Sequence, residues 1–232
     1  MVSSTVSASR SEVKMAHEDV LDGFLARQPS RVHRSDRRLS RVVREAYPIG
    51  VPALIMKSST DRLGESAGYS FHLGTPDEML RLIASWLLTG AGGDQRRLLR
   101  LVHRLWERHG REDVALAALL LANLDHAALG VDPWEVLAGC TRGSEPAEAL
   151  LLSIEEMLRA GRPMPSEEIL LEWCEGRAVD AHMTLLVSYA GSVRGHAVSE
   201  ELLGRLSSIE IPDGDSLLGR VMQRLRDDQA QD

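Results

Sequence analysis

Aromatic side chains make up only 4% of this chain of 232 residues, and it has just two cysteines. So few aromatics beside abundant Leu and Ala argue against a sheet, whose strands enrich aromatic and β-branched residues, and for helices packed on helices. Cys140 and Cys174 sit in separate helical patterns, outside any CxxC or Cys/His cluster. Both therefore read as buried free thiols in preference to a disulfide or a metal site. No apolar run approaches the roughly 20 residues that span a bilayer, and the opening MVSSTVSASRSEVK lacks the apolar core of a signal peptide. A cytoplasmic protein with no membrane partner is expected.

Catalytic signatures are also missing. No serine sits in a GxSxG elbow, and the eight histidines are scattered with no HExxH pair. The glycine-rich TGAGGD around Gly90 to Gly93 follows a helical pattern, not a strand, and lacks the Lys-Ser/Thr of a phosphate loop. No metal and no nucleotide cofactor are expected.

What the chain does have is helical periodicity, broken at short Gly, Pro and Ser clusters. Twelve helices are expected, at roughly 16–27, 35–47, 51–63, 75–89, 94–109, 111–124, 132–141, 145–160, 166–176, 179–191, 198–208 and 214–227. Thr75, Asp132 and Ser166 are the expected amino-terminal caps, and Gly90, Gly110, Gly161 and Gly191 the expected stops. From about residue 94, helix pairs begin every 35 residues or so, the period of stacked αα units. The fold class read from this is all-α: a HEAT-like αα-repeat solenoid of about twelve helices, or six pairs. It would form one domain over 16–232 behind a flexible segment 1–15. Tyr69, Phe71 and His72 fall in the least helical stretch, Gly64 to Gly74, and are expected to tuck against neighbouring helices. The four tryptophans read as core, with Trp134 the most exposed of them.

Charge is divided unevenly. Residues 1–111 hold 18 Lys/Arg against 12 Asp/Glu, a balance of +6, whereas residues 112–232 hold 9 against 22, a balance of −13. At 100° per residue, the helix at 94–109 places Arg96, Arg97, Arg100, Arg104 and Arg108 on one arc, interrupted only by Glu107 and opposite a leucine face. The helix at 35–47 repeats this with Arg37, Arg38, Arg41 and Arg44, while Arg27, Arg31 and Arg34 lie just before it. Rows of guanidiniums suit phosphates, because each offers a forked donor pair and a charge that does not titrate away. The plain alternative is a solvated helix face. Strict alternation of helices across a solenoid would put the two rows on opposite sides. Glu145, Glu148, Glu155 and Glu156 form an acidic arc on the helix at 145–160, which repels a phosphate backbone unless a carboxylate there does catalytic work.

Two stretches, LSRVVREAYPIGVPALIMKSSTDRL (39–63) and LWERHGREDVALAALLL (105–121), resemble the HEAT-like (AlkD-like) DNA alkylation repair enzymes, monofunctional glycosylases that remove alkylated bases from DNA. The resemblance implies a duplex-DNA partner, met by Arg34, Arg37, Arg38, Arg41, Arg44, Arg97, Arg100, Arg104 and Arg108. It also implies a carboxylate that offsets the positive charge developing on the deoxyribose. Where the family carries aromatics before that carboxylate, this chain has Gly143 and Ser144. Glu148 falls near the catalytic position, with Glu145 one turn earlier, and His182 in VDAHM is nearest to the family's basic residue. Glu148 and His182 are thus the catalytic candidates, the alternative being two ordinary surface residues. The competing function is a non-catalytic HEAT-like scaffold that binds a protein partner on its concave surface.

Overall fold

The computed structural model describes residues 18–61, 68–211 and 216–229. The amino-terminal segment 1–15, expected to be flexible, lies outside them. Helix is the only regular structure among the described residues, so the chain is all-α as its composition implies. No described helix is long and apolar enough to cross a membrane. The chain forms two compact units, Met1–Leu120 and Leu121–Asp232.

The first unit begins with α1 (18–26) and a 3₁₀ turn at Ser30–Arg34, followed by α2 (Asp36–Ala46), α3 (Ala53–Asp61), α4 (Asp77–Ala91) and α5 (Arg96–Arg108). It ends within α6 (Arg111–Asn123). The core forms because Leu39, Val43, Ile83, Leu87, Leu98, Leu101 and Leu105 recur at helical spacing and lose essentially all exposure. α5 packs against both α2 and α4.

The second unit holds the single turn α7 (His126–Leu129), then α8 (Pro133–Cys140), α9 (Ala147–Arg159), α10 (Glu167–Glu175), α11 (Ala178–Ser192), α12 (Glu200–Leu206) and α13 (Leu217–Gln229). α11 is its axis: eleven of its residues are buried, and α9, α10, α12 and α13 all pack on it. A helix apolar all round belongs inside a bundle, and the run AVDAHMTLLVSYAG has that character. Cys140 and Cys174 are free thiols, each half-buried.

Several local expectations need correction. Asp132 caps α8 as expected, accepting from the Trp134 and Glu135 amides at 2.8 and 3.0 Å. Thr75 does not cap α4: its hydroxyl donates to the Tyr47 carbonyl at 2.9 Å, and Pro76 occupies the cap position. Ser166 makes no cap hydrogen bond either. α4 runs through Gly90 and turns at Gly92, with φ of 55°. α5 ends at His109, whose φ of 59° supplies the left-handed turn expected of Gly110. Gly110 is needed for a different reason: a Cβ there would come within 2.1 Å of the Phe71 ring. Trp134, expected to be the most exposed tryptophan, is 2% exposed and donates its indole N–H to the Pro163 carbonyl at 2.8 Å.

Arginines finish helices in the second unit. Arg162 donates to the Ala122 and Leu124 carbonyls at 2.9 and 3.1 Å, closing the end of α6. Arg177 does the same at the end of α8, donating to the carbonyls of Ala138 and Thr141 at 2.9 and 3.0 Å while Asp180 holds its guanidinium. Each guanidinium thus meets carbonyls at or just past a helix end, the negative end of the dipole.

His126 is 7% exposed, and burial followed by the charge of Arg162 lowers its pKa below 6.5. Burial also lowers His33. Both fold in the neutral form, so below about pH 6.5 the unfolded chain binds more protons than the native one. The stability linked to these groups is complete above that pH and is lost as the pH falls through the folded values. Urea midpoints are therefore expected to drop between pH 7.5 and pH 5, and His126→Leu should flatten part of that slope.

Candidate functional site

The two arginine rows meet. α2 packs directly on α5, and contacts along them step in one direction. Asp36, at the start of α2, meets Arg100 and Arg104; Ser40, one turn on, meets Arg108; Tyr47, beyond α2, meets Asp113, beyond α5. The helices therefore run parallel, and a rule of strict alternation does not describe this pair. Between them lies an open groove of about 440 Å³, lined by Arg37, Ser40, Arg41 and Arg44 from α2 and by Arg104, Glu107 and Arg108 from α5.

Four of the five arginines of α5 are anchored. Arg104 donates to Asp36 through Nε and Nη2 at 2.9 and 2.8 Å, and Arg100 lies 3.8 Å from the other carboxylate oxygen. Burial works against charge on Asp36, but the hydrogen bond and charge of Arg104 prevail and hold its carboxyl below the ordinary value. Arg97 pairs with Asp94 at 2.9 Å, away from the groove lining.

Arg108 is anchored most firmly. Its Nε donates to Asp113 at 2.6 Å, its Nη2 grips the second carboxylate oxygen, and its Nη1 reaches both the Ser40 carbonyl and hydroxyl at 3.2 Å. Asp113 has no solvent exposure, and the equally buried Tyr47 donates its hydroxyl to it at 2.8 Å. Burial first, and then the neighbouring Asp113 charge, push the Tyr47 phenol well above its ordinary range, so it stays a donor. The Arg108 guanidinium also lies over the Phe71 ring, 5.9 Å from its centroid.

Beside this network, Glu112 is fully buried and accepts the amides of Leu73, Gly74 and Thr75 at 2.9, 2.8 and 3.3 Å. His72 lies 4.0 Å from the same oxygen. Tyr69 and Phe71 tuck against His109 and Gly110, as expected of that segment. The part of the segment before residue 68 lies outside the described residues.

The arginines of α2 differ. Arg37, Arg38, Arg41 and Arg44 are all exposed, and none forms a side-chain hydrogen bond or ion pair among the described residues. Arg34, at the end of the 3₁₀ turn, is likewise exposed. The α2 row thus offers uncommitted charge, and the α5 row supplies a fixed wall.

In the second unit, Glu148 stands exposed in the first turn of α9, with no hydrogen bond or ion pair among the described residues. His182 is half-buried on α11, its Nε2 3.0 Å from the Glu210 carbonyl. No hydrogen bond or ion pair among the described residues joins the two. Glu145 binds the Arg142 amide at 2.7 Å, and Glu155 pairs with Arg194 at 2.6 Å, so part of the acidic arc serves local structure.

Tyr47, Asp36, Ser40 and Asp113, which organise the groove, were not among the residues the sequence singled out. The signal for the last was present in GRED, where two consecutive carboxylates open a helix. No family model, curated protein sequence or solved structure matches the chain.

Truncating one partner of a buried pair leaves the other charge unpaired, at a cost of about 3–5 kcal/mol. Arg108→Met is expected to lower unfolding stability by that order, and Tyr47→Phe by about 1–3 kcal/mol. Arg108→Met combined with Asp113→Leu should lose less than the two single variants together. Urea titration of the four variants beside the unaltered protein measures each term.

Proposed function

We propose that the α2/α5 groove binds the phosphodiester backbone of duplex nucleic acid, duplex DNA being the partner that the family resemblance implies. One observation carries this reading: Arg37, Arg41 and Arg44, exposed and without ion pairs, face the same groove as the anchored Arg104 and Arg108. Guanidiniums held by carboxylates are pre-oriented, while three uncommitted ones at one-turn intervals supply the attraction that an anionic backbone needs. A closed small-molecule pocket fits less well, because the groove is open and charged on both walls.

Excision of alkylated bases would add a second role, with Glu148 stabilising positive charge on the sugar. A carboxylate exposed to solvent gives up most of its field to water. The geometry therefore supports binding more than hydrolysis. Base release from alkylated duplex DNA is expected to be the same for the protein and for Glu148→Gln. Loss of release in the variant alone would restore the catalytic reading.

Binding through three free guanidiniums gives a log–log salt slope of roughly −3, at about −0.9 per phosphate contact. Arg41→Glu is expected to weaken binding at low salt and to reduce that slope by about 1 or more. Fluorescence anisotropy with a random-sequence duplex at several salt concentrations reads both quantities. No binding at low salt would reject the proposal in favour of a scaffold that binds a protein partner.

A further inference from the structure

The groove contains one group that a phosphate avoids. Glu107 interrupts the arginine arc of α5, is exposed, and lines the groove beside Arg104 and Arg108 and opposite Arg37, Arg41 and Arg44. An ionised carboxylate is an acceptor only, and it repels any phosphate placed against it. A surface built solely for backbone charge would carry a cation or a neutral residue here. What Glu107 can receive is a hydrogen-bond donor lying between phosphates.

Along a nucleic-acid strand, the sugar lies between successive phosphates. A deoxyribose within a strand has no donor, whereas a ribose carries a 2′-hydroxyl that both donates and accepts. Base amino groups are the other donors a carboxylate can read, but they lie at the groove edges of a duplex, away from the backbone. The residues lining the groove include no aromatic side chain, so a splayed base would gain no stacking surface there. The neighbouring arginines can hold phosphates on either side of a sugar, because side chains one helical turn apart stand about 5–6 Å apart at Cβ. A carboxylate has about four lone-pair positions, so Glu107 can keep a partner within the protein and still accept a hydroxyl.

We propose that Glu107 makes this groove selective for ribose: it accepts the 2′-hydroxyl of a strand whose phosphates lie on the α2 arginines, and it disfavours DNA. The inference rests on the reading of the groove as a backbone site. It names duplex RNA as the preferred partner in place of duplex DNA.

The test compares one sequence prepared as duplex DNA, duplex RNA and fully 2′-O-methylated duplex RNA, each titrated against the full chain at low salt. The methylated duplex keeps the RNA helix form and removes the donor. Duplex RNA should bind roughly tenfold more tightly than the other two, the size of one charge-assisted hydrogen bond. In Glu107→Met the DNA affinity should rise and the preference should fall to near unity, with helical content by circular dichroism unchanged because the side chain is exposed. A preference shared by the methylated duplex would mean that helix shape is read, and equal affinity for all three would mean that the sugar is not read; either overturns the role of Glu107 and leaves backbone binding intact. Absence of salt-dependent binding to all three would overturn the underlying reading itself.

Discussion

The first unit depends on one buried carboxylate. Asp113 is wholly removed from water, and a charge in that position persists only because Arg108 and Tyr47 both donate to it. These three side chains come from three places: the last turn of α5, the residue following α2, and the first turn of α6. Their mutual satisfaction sets where α2 lies along α5, and so sets which side chains face each other across the groove. Arg108 belongs to both systems, its donors turned toward Asp113 and Ser40 while its edge lines the open surface.

The helical pattern was easy to read because it depends on local spacing. Leucine runs such as 98–105, interrupted by arginine, have only one amphipathic solution, and the helix there lies within two residues of the expected bounds at both ends. Caps were read less well. Asp132 has no competing partner, whereas Thr75 is drawn to the Tyr47 carbonyl, a contact between residues 28 apart in the chain. Gly110 reads as a left-handed stop, a role that His109 takes; what requires glycine there is an aromatic ring from a distant segment, which no turn signal encodes. The one-turn α7 and the 3₁₀ turn at Ser30–Arg34 are too short to show a period.

The candidate site was half legible. Both arginine rows could be identified by helical spacing, but their meeting depends on the packing of α2 on α5, which spacing alone does not encode. Nor does it encode which guanidiniums are committed. Arg104 and Arg37 look equivalent in the sequence; one is held by Asp36, and the other has no carboxylate partner among the described residues. The same chemistry recurs in the second unit, where Arg162 and Arg177 turn their forked donors toward carbonyls at helix ends. An arginine count therefore overstates the charge available to a ligand, because much of it is already engaged in holding helices together.

The amides of Leu73, Gly74 and Thr75 converge on the buried Glu112 carboxylate, and the Ser70 amide donates to the His109 carbonyl at 2.8 Å. This stretch is irregular in conformation, yet its donors are tied to the end of α5 and the start of α6, within the leucine core. In hydrogen exchange, such amides open with the cooperative unfolding of the helices that hold them and not with the fraying of a surface turn. The least regular part of the first unit is thereby coupled to its slowest motions. A map of backbone protection would mark 70–75 as part of the core that its secondary structure conceals.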